Sequence, residues 1–236
     1  MKKANYGVDA PLVVFLYLAV GALCFILAIV RAHTISYFGI LLLVIGGYML
    51  YGSKCGKYKM REKVLQRLVV RENDMVLDVG CGRGLMLNGA ARKLKTGKAY
   101  GIDLWSGKDQ SGNSRNATLK NAQLEGTADK IKVQNADMCA LPFKDETFSV
   151  IVSSLAIHNV SGEDSRKKAL LEIARVAGNG CRVAILDLAH VQEYADILSK
   201  NGFMVEEISK NKWQMFPPVR VLYARRQKIA NLTSKK

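Results

Sequence analysis

The stretch Val76-Leu77-Asp78-Val79-Gly80-Cys81-Gly82-Arg83-Gly84 decides the fold of this chain. A short apolar run closes on an acid and three glycines spaced by one residue, and a helical pattern opens at Leu85. The run predicts a buried strand, the glycines a tight turn, and the pattern beyond them a helix whose N-terminus faces a ligand. Such a turn needs backbone freedom, and a missing Cβ lets a nucleoside or a carboxylate approach the main chain. A pyrophosphate-binding turn is written G-x-G-x-x-G, and Leu85 stands where its last glycine would fall. That departure disfavours a nicotinamide-dependent enzyme.

Outward from the turn, strands and helices alternate. Leu85 to Leu94 is helical and ends at Thr96-Gly97, and the strand Ala99–Leu104 follows. This strand reaches Asp103 about 20 residues past the glycines, the spacing at which an α/β nucleotide site places its ribose-binding carboxylate. An ionised Asp103 accepts from two adjacent hydroxyls. Without the glycine turn it would read as a helix N-cap. Residues 105–115 form a long polar loop, where Asp109 and Asn113 are either ligand contacts or plain connector. Ile131 to Met138 reads as the third strand and its exit, Phe148 to Val152 as the fourth, and Cys181 to Leu188 as the fifth. A helix over 166–177 ends at the expected turn Gly178-Asn179-Gly180, and the strands 203–208 and 219–224 close the chain as a hairpin. Its loop carries Trp213, Met215, Phe216, Pro217 and Pro218, either core or a lip over a site.

With D-x-G-x-G-x-G after a strand, residues 73–224 resemble the class I S-adenosylmethionine (SAM)-dependent methyltransferases. Leu141 to Ser154 reads L-P-F-x-D-x-x-F-x-x-I-x-x-S, which resembles the small-molecule branch that includes the ubiquinone and menaquinone C-methylases. The resemblance implies an α/β, Rossmann-like, seven-stranded and mostly parallel sheet with helices on both faces and an antiparallel last strand. It implies SAM as cofactor, with the main chain of Gly80, Cys81, Gly82 and Gly84 holding it and Asp78 near its ammonium group. Asp103 would take the ribose, Leu104 and Trp105 one adenine face, and Asp137 and Met138 the adenine edge; Ser153 completes the set. The D/N-P-P-Y/F run of many nucleic-acid and protein amino-methyltransferases does not occur. After the fourth strand, His158 is either a general base or a residue that shapes the pocket.

Charge and hydropathy divide the remainder. Residues 52–71 hold seven Lys/Arg against Glu62 alone, and residues 220–236 hold six and no acid. Each piece has a surplus of six, so together they carry nearly all of the +15 net charge. A neutral centre argues against nucleic acid as partner, and a basic belt over 54–71 beside apolar chain suits anionic lipid headgroups. Pro11 to Val30 and Ile35 to Tyr51 contain no charged residue, and each is long enough to cross a bilayer. Gly21, Gly39, Gly46 and Gly47 would let two such helices approach. A signal peptide is the competing reading, weakened by the second apolar run. Lys2 and Lys3 before the hairpin and the belt after it place both termini and the catalytic domain on the cytoplasmic side. We therefore expect an anchor over 1–51, a basic amphipathic helix within 52–72, and a catalytic domain over 73–236 separable from the anchor. The five cysteines form no C-x-x-C pair, so neither a disulfide framework nor a metal site is expected, and Cys81 reads as a small filler.

The expected function is a membrane-anchored methyltransferase for a small, lipophilic acceptor. The alternative is a non-catalytic SAM-binding or scaffolding module at the membrane. The residues do not specify the acceptor or the oligomeric state.

Overall fold

The computed structural model of the protein describes residues 3–30, 33–106 and 112–227. Its centre is a seven-stranded sheet in the order β3-β2-β1-β4-β5-β7-β6. The strands are β1 (Met75–Val79), β2 (Lys98–Asp103), β3 (Ile131–Asn135), β4 (Phe148–Ser154), β5 (Ala177–Asp187), β6 (Phe203–Ile208) and β7 (Arg220–Arg226). The first five run parallel, and β7 lies antiparallel between β5 and β6. Strand order reverses between β1 and β4, and in open α/β sheets ligands bind beyond the carboxyl ends at such a point.

A strand covered on both faces alternates its side chains between two cores. In β4, Val150 and Val152 pack with Leu65, Leu87 and Val221, whereas Ile151 packs on the other face with Leu170, Ile173 and Leu198. The first face is covered by α3 (Lys57–Arg67) and α4 (Leu85–Ala91), the second by α6 (Glu163–Val176) and α7 (Val191–Lys200). A further helix, α5 (Arg115–Glu125), is capped by Ser114, whose Oγ accepts from Ala117 N at 3.1 Å. Gly178, Asn179 and Gly180, expected as a turn, instead lie within β5. A register shift between Phe148 and Val150 of β4 absorbs them, so a bulge does the work expected of a loop.

Two helices precede the sheet, α1 (Pro11–Val30) and α2 (His33–Tyr51). Both are long and apolar enough to cross a membrane, and their large side chains, among them Leu12, Phe15, Phe38 and Val44, point outward. The two cross where side chains are missing. A Cβ on Gly39 would sit 2.9 Å from the Gly21 carbonyl, and one on Gly46 2.9 Å from Leu18 Cδ2; beside Gly47 there is open space. From α2 the chain passes through a π-helical turn, Gly52–Gly56, directly into α3. This continuity corrects the expected basic belt, because α3 carries part of it inward. Lys57 and Arg61 are buried, so neither is presented to a lipid surface. The far end of α3 is bolted to the sheet by Arg182, which donates to Leu68 O and Val69 O and pairs with Asp74 at 2.7 Å.

Candidate active site

At the carboxyl ends of β1, β2, β4 and β5 lies a cavity of about 620 Å³. Its floor is the glycine turn. Gly80, Gly82 and Gly84 take φ of +71°, +50° and +85°, the left-handed region that favours glycine. A Cβ on Gly80 would fall 2.2 Å from Ala156 Cβ, so the turn and the loop after β4 meet only because that atom is absent. Four N–H groups of the turn, those of Gly80, Cys81, Gly82 and Gly84, donate within the protein. Gly80 N and Cys81 N both donate to Ile102 O at 2.9 Å, and Gly82 N donates to Asp103 Oδ2 at 2.7 Å. At Gly80, Cys81 and Gly82 the turn therefore offers a ligand its bare surface, with these N–H groups already bonded within the protein.

Asp103 also accepts from Trp105 N at 2.5 Å, so one carboxylate fixes both the turn and the chain leaving β2 while facing the cavity. Leu104 and Met138 line the cavity, as do Asn113 and Asp137, the latter accepting from Cys139 N at 2.8 Å. Trp105 turns its Nε1 to Gly82 O at 3.2 Å. Ser153 is directed away: its Oγ donates to Val79 O at 2.9 Å, and Ser154 stands at the cavity in its place. Alternation along β4 accounts for the difference. Gly84 stands behind the turn against Thr118 and Asn88. Asp109 lies outside the described residues.

Asp78 is the most unusual group. It is 1% exposed, lines the cavity, and has no hydrogen bond at either oxygen. Burial pushes its pKa up to about 8, with the charge of Asp103 adding to the effect. The Leu87 main-chain N–H opposes the shift without reaching hydrogen-bond geometry.

Across the cavity, His158 Nδ1 lies 2.5 Å from Asp187 Oδ1, off the ring N–H direction, and His158 N donates to Asp187 Oδ2 at 3.1 Å. Asp187, at the end of β5, is fully buried and also receives Leu188 N at 2.8 Å and Tyr194 Oη at 3.3 Å. Sequence reasoning passed over Asp187, although an acid at the carboxyl end of a parallel strand is a usable signal.

The last wall comes from chain expected to be outside the domain. Tyr6, Asp9, Met49, Lys57 and Arg61 all line the cavity, with Met215, Phe216 and Pro217 from the β6–β7 loop. That loop is thus a lip rather than core alone, and Trp213 is exposed. Lys57 Nζ donates to Tyr6 O and Gly7 O, both at 2.8 Å, and pairs with Asp9 at 3.3 Å; burial lowers its pKa against the pull of Asp9. The missed signal is helical: Lys57, Met60, Arg61 and Val64 fall at i, i+3, i+4 and i+7, one buried stripe.

Comparison with known proteins converges on this geometry. The family model described as "Methyltransferase domain" matches residues 77–185, from the glycine strand into β5. The matched stretch, just under half of the chain, is similar to a methyltransferase domain. The domain is 33% identical over 130 residues to "Methyltransferase GfsG" of Streptomyces halstedii, covering 55% of this chain and 43% of that protein. It is 35% identical over 118 residues to a "Demethylmenaquinone methyltransferase" of Symbiobacterium thermophilum, covering 50% and 43%. The chain thus spans less than half the length of these curated relatives. Among solved structures, a SAM-dependent methyltransferase from Aquifex aeolicus superposes with a TM-score of 0.57 at 24% identity, covering 70% of this chain and 88% of that one. This likeness shows the fold.

The cofactor of the methyltransferase domain is SAM, and the residues fit it. An orphaned buried carboxylate at Asp78 needs a cationic partner, and SAM brings an ammonium and a sulfonium. The Gly80 surface admits a group where any side chain would collide with Ala156.

Proposed function

We propose that the protein is a membrane-anchored, SAM-dependent methyltransferase acting on a small lipophilic acceptor. The observation that carries this reading is the make-up of the cavity. The glycine turn and His158 share it with Met49 near the end of the apolar helix α2, with Gly52 of the turn that follows, and with Met215, Phe216 and Pro217. A molecule dissolved in a bilayer around α1 and α2 reaches this wall without crossing water. The demethylmenaquinone methyltransferase relative names an acceptor of that kind.

Bound SAM supplies a methyl group activated by its sulfonium charge for in-line displacement. What remains for the protein is positioning and electrostatics. Asp103, Leu104, Asp137 and Met138 line the cavity, where Asp103 would accept from ribose hydroxyls, Leu104 and Met138 would cover the adenine and Asp137 would meet its edge. Asp78, which lines the cavity with both oxygens unpartnered, would lie near the cationic tail. His158 is the candidate general base, taking the proton that a hydroxyl or thiol acceptor loses, and Asp187 holds it in place.

The test is the full chain reconstituted in lipid vesicles with methyl-labelled SAM and extracts of native membranes. The expected result is label in the organic-soluble fraction with matching release of S-adenosylhomocysteine. Label confined to water-soluble acceptors, or none above a protein-free control, overturns the reading.

A further inference from the structure

Two stretches far apart in sequence meet at the end of α2. Neither residues 47–61 nor residues 208–224 contain an Asp or Glu, and Lys54, Lys59 and Lys210 among them are exposed. The link between β6 and β7, residues 209–219, is pressed onto the helix. Tyr48, in the last turn of α2, donates its Oη to Trp213 O, and its ring centre lies 5.8 Å from that of Phe216. The π-helical turn after α2 receives the same loop. A Cβ on Gly52 would lie 3.3 Å from Met215 Cα, and one on Gly56 only 1.7 Å from Gln214 O. Gly56 therefore cannot carry a side chain while the loop stays in place, and π-helical turns recur at functional sites.

Held there, the loop displays aromatic surface. Trp213 is 57% exposed, and Tyr51 and Leu50 at the end of α2 are exposed as well. Tyr51 stacks on Tyr48 at 6.3 Å and accepts from Lys59 Nζ at 3.1 Å. A Trp and two Tyr beside lysines, at the end of an apolar helix, are the composition that settles at the headgroup level of a bilayer. The ring bodies enter the acyl boundary, and the hydroxyl and ammonium tips stay with water and phosphate. Asp9, the acid just ahead of α1, is paired with Lys57 and so does not oppose an anionic headgroup. Trp213 does not line the cavity, so the acceptor site does not account for its exposure. Pro217 both lines the cavity and is exposed, so the cavity reaches the surface beside this patch.

We propose that Tyr48, Tyr51 and Trp213 form a collar seated in the headgroup layer of a bilayer, and that the cavity opens beside it, at Pro217, to an amphiphile whose apolar chain stays in the lipid. This rests on α1 and α2 lying in a bilayer, as proposed above, and adds which loop of the catalytic unit meets the lipid and where the acceptor enters. The collar sets the depth of the opening, because the same loop supplies Met215, Phe216 and Pro217 to the cavity wall.

The experiment is tryptophan fluorescence of the full chain in phosphatidylcholine–phosphatidylglycerol vesicles brominated near either the carbonyl end or the methyl end of the acyl chains. Trp105 and Trp213 are the two tryptophans, so the difference between wild type and Trp213→Phe reports Trp213. Trp213 should be quenched about twofold or more strongly by the shallow bromines than by the deep ones. Gly56→Ala, measured against its own Trp213→Phe control, should shift Trp213 emission to the red and remove most of that quenching. The wild-type depth profile decides the collar whether or not Gly56→Ala folds. In protein that floats with the vesicles, a Trp213 open to acrylamide and blind to bromine faces water and overturns the collar. One shielded from both overturns it too and assigns the patch to a second copy of the chain. Failure to float overturns the anchoring together with the collar. For the entry route, Trp213→Asp should lower methyl transfer from labelled SAM to organic-soluble acceptors of membrane extracts in vesicles, yet not in detergent solution. Equal rates for wild type and variant in both media overturn that route, and no transfer by the wild type in either overturns the catalytic reading with it.

Discussion

At the scale of single residues, Asp78 makes the sharpest forecast. In the free protein its folded pKa of about 8 stands above the ordinary 3.8, so between those values the folded state holds a proton that the unfolded chain has released. The stability contributed by this group is therefore full below pH 3.8 and declines as the pH rises toward about 8. A cationic cofactor selects the ionised form, so binding expels the proton. Affinity for SAM should rise by up to ~tenfold per pH unit below that pKa and level off above it. Calorimetry in two buffers of different ionisation enthalpy should detect the released proton, and Asp78→Asn should abolish the release. A pH-independent dissociation constant would refute the assignment. His158 and Asp187 predict a different signature. His158→Gln should lower kcat ~10²- to 10⁴-fold while SAM affinity stays within about twofold. Asp187→Asn should lower kcat less, because the imidazole remains but loses the carboxylate that orients it. Single-turnover rates beside SAM titrations separate the two effects, and an unchanged kcat in His158→Gln would reduce that residue to a wall.

At the scale of elements, the glycine turn is a junction between β1, β2 and the loop after β4. Gly80→Ala has two costs, a left-handed φ of +71° and a contact of 2.2 Å with Ala156 Cβ. Gly126→Ala isolates the first, since its φ is +68° and nothing lies within 4 Å of its Cβ position. We expect Gly126→Ala to cost about 1 kcal/mol and Gly80→Ala about 1–3 kcal/mol more, from denaturant melts of the two variants. Equal costs would mean the turn is not packed against that loop. The contrast shows what was legible in the residues. Periodicity and the D-x-G-x-G-x-G run located β1, the turn and α4, because a buried parallel strand and a glycine turn each leave a local mark. Asp103 was legible by spacing, although its grip on Gly82 N was not. Ser153 was misplaced by one residue, since inward and outward positions exchange at every step of a strand. Gly178 to Gly180 looked like a turn because a bulge uses the same residue types. Asp187, Lys57 and Arg61 depend on contacts between segments far apart in sequence, and Lys57 and Arg61 were read as lipid-facing charge because composition does not say which side of a helix is covered.

At the scale of the whole molecule, the hairpin and the catalytic unit are less separable than their compositions suggest. Residues ahead of α1 return to the domain: Asn5 N donates to Asn121 Oδ1 at 2.9 Å, Asn121 Nδ2 returns to Asn5 O at 2.9 Å, and Tyr6 is buried at the cavity. Removing residues 1–10 while keeping both helices should therefore weaken SAM binding and lower Tm, whereas the composition alone predicts no effect. A thermal-shift series with added SAM checks this, and an unchanged Tm and affinity would show the segment to be passive. The same contacts constrain topology. Asp9, just before α1, pairs with Lys57, just after α2 and its turn, so the entry and exit of the hairpin are fastened together on the domain side. If α1 and α2 cross a bilayer, both ends must then lie on one face with the catalytic domain, and the link between the helices must lie on the other. In that case the positive-inside rule predicts a cytoplasmic domain face. An epitope inserted between the two helices, in sealed right-side-out vesicles, should be reached by antibody from outside while the catalytic domain resists added protease. Detection of the epitope only after permeabilisation, or digestion of the domain in intact vesicles, would reject two crossings with a cytoplasmic site.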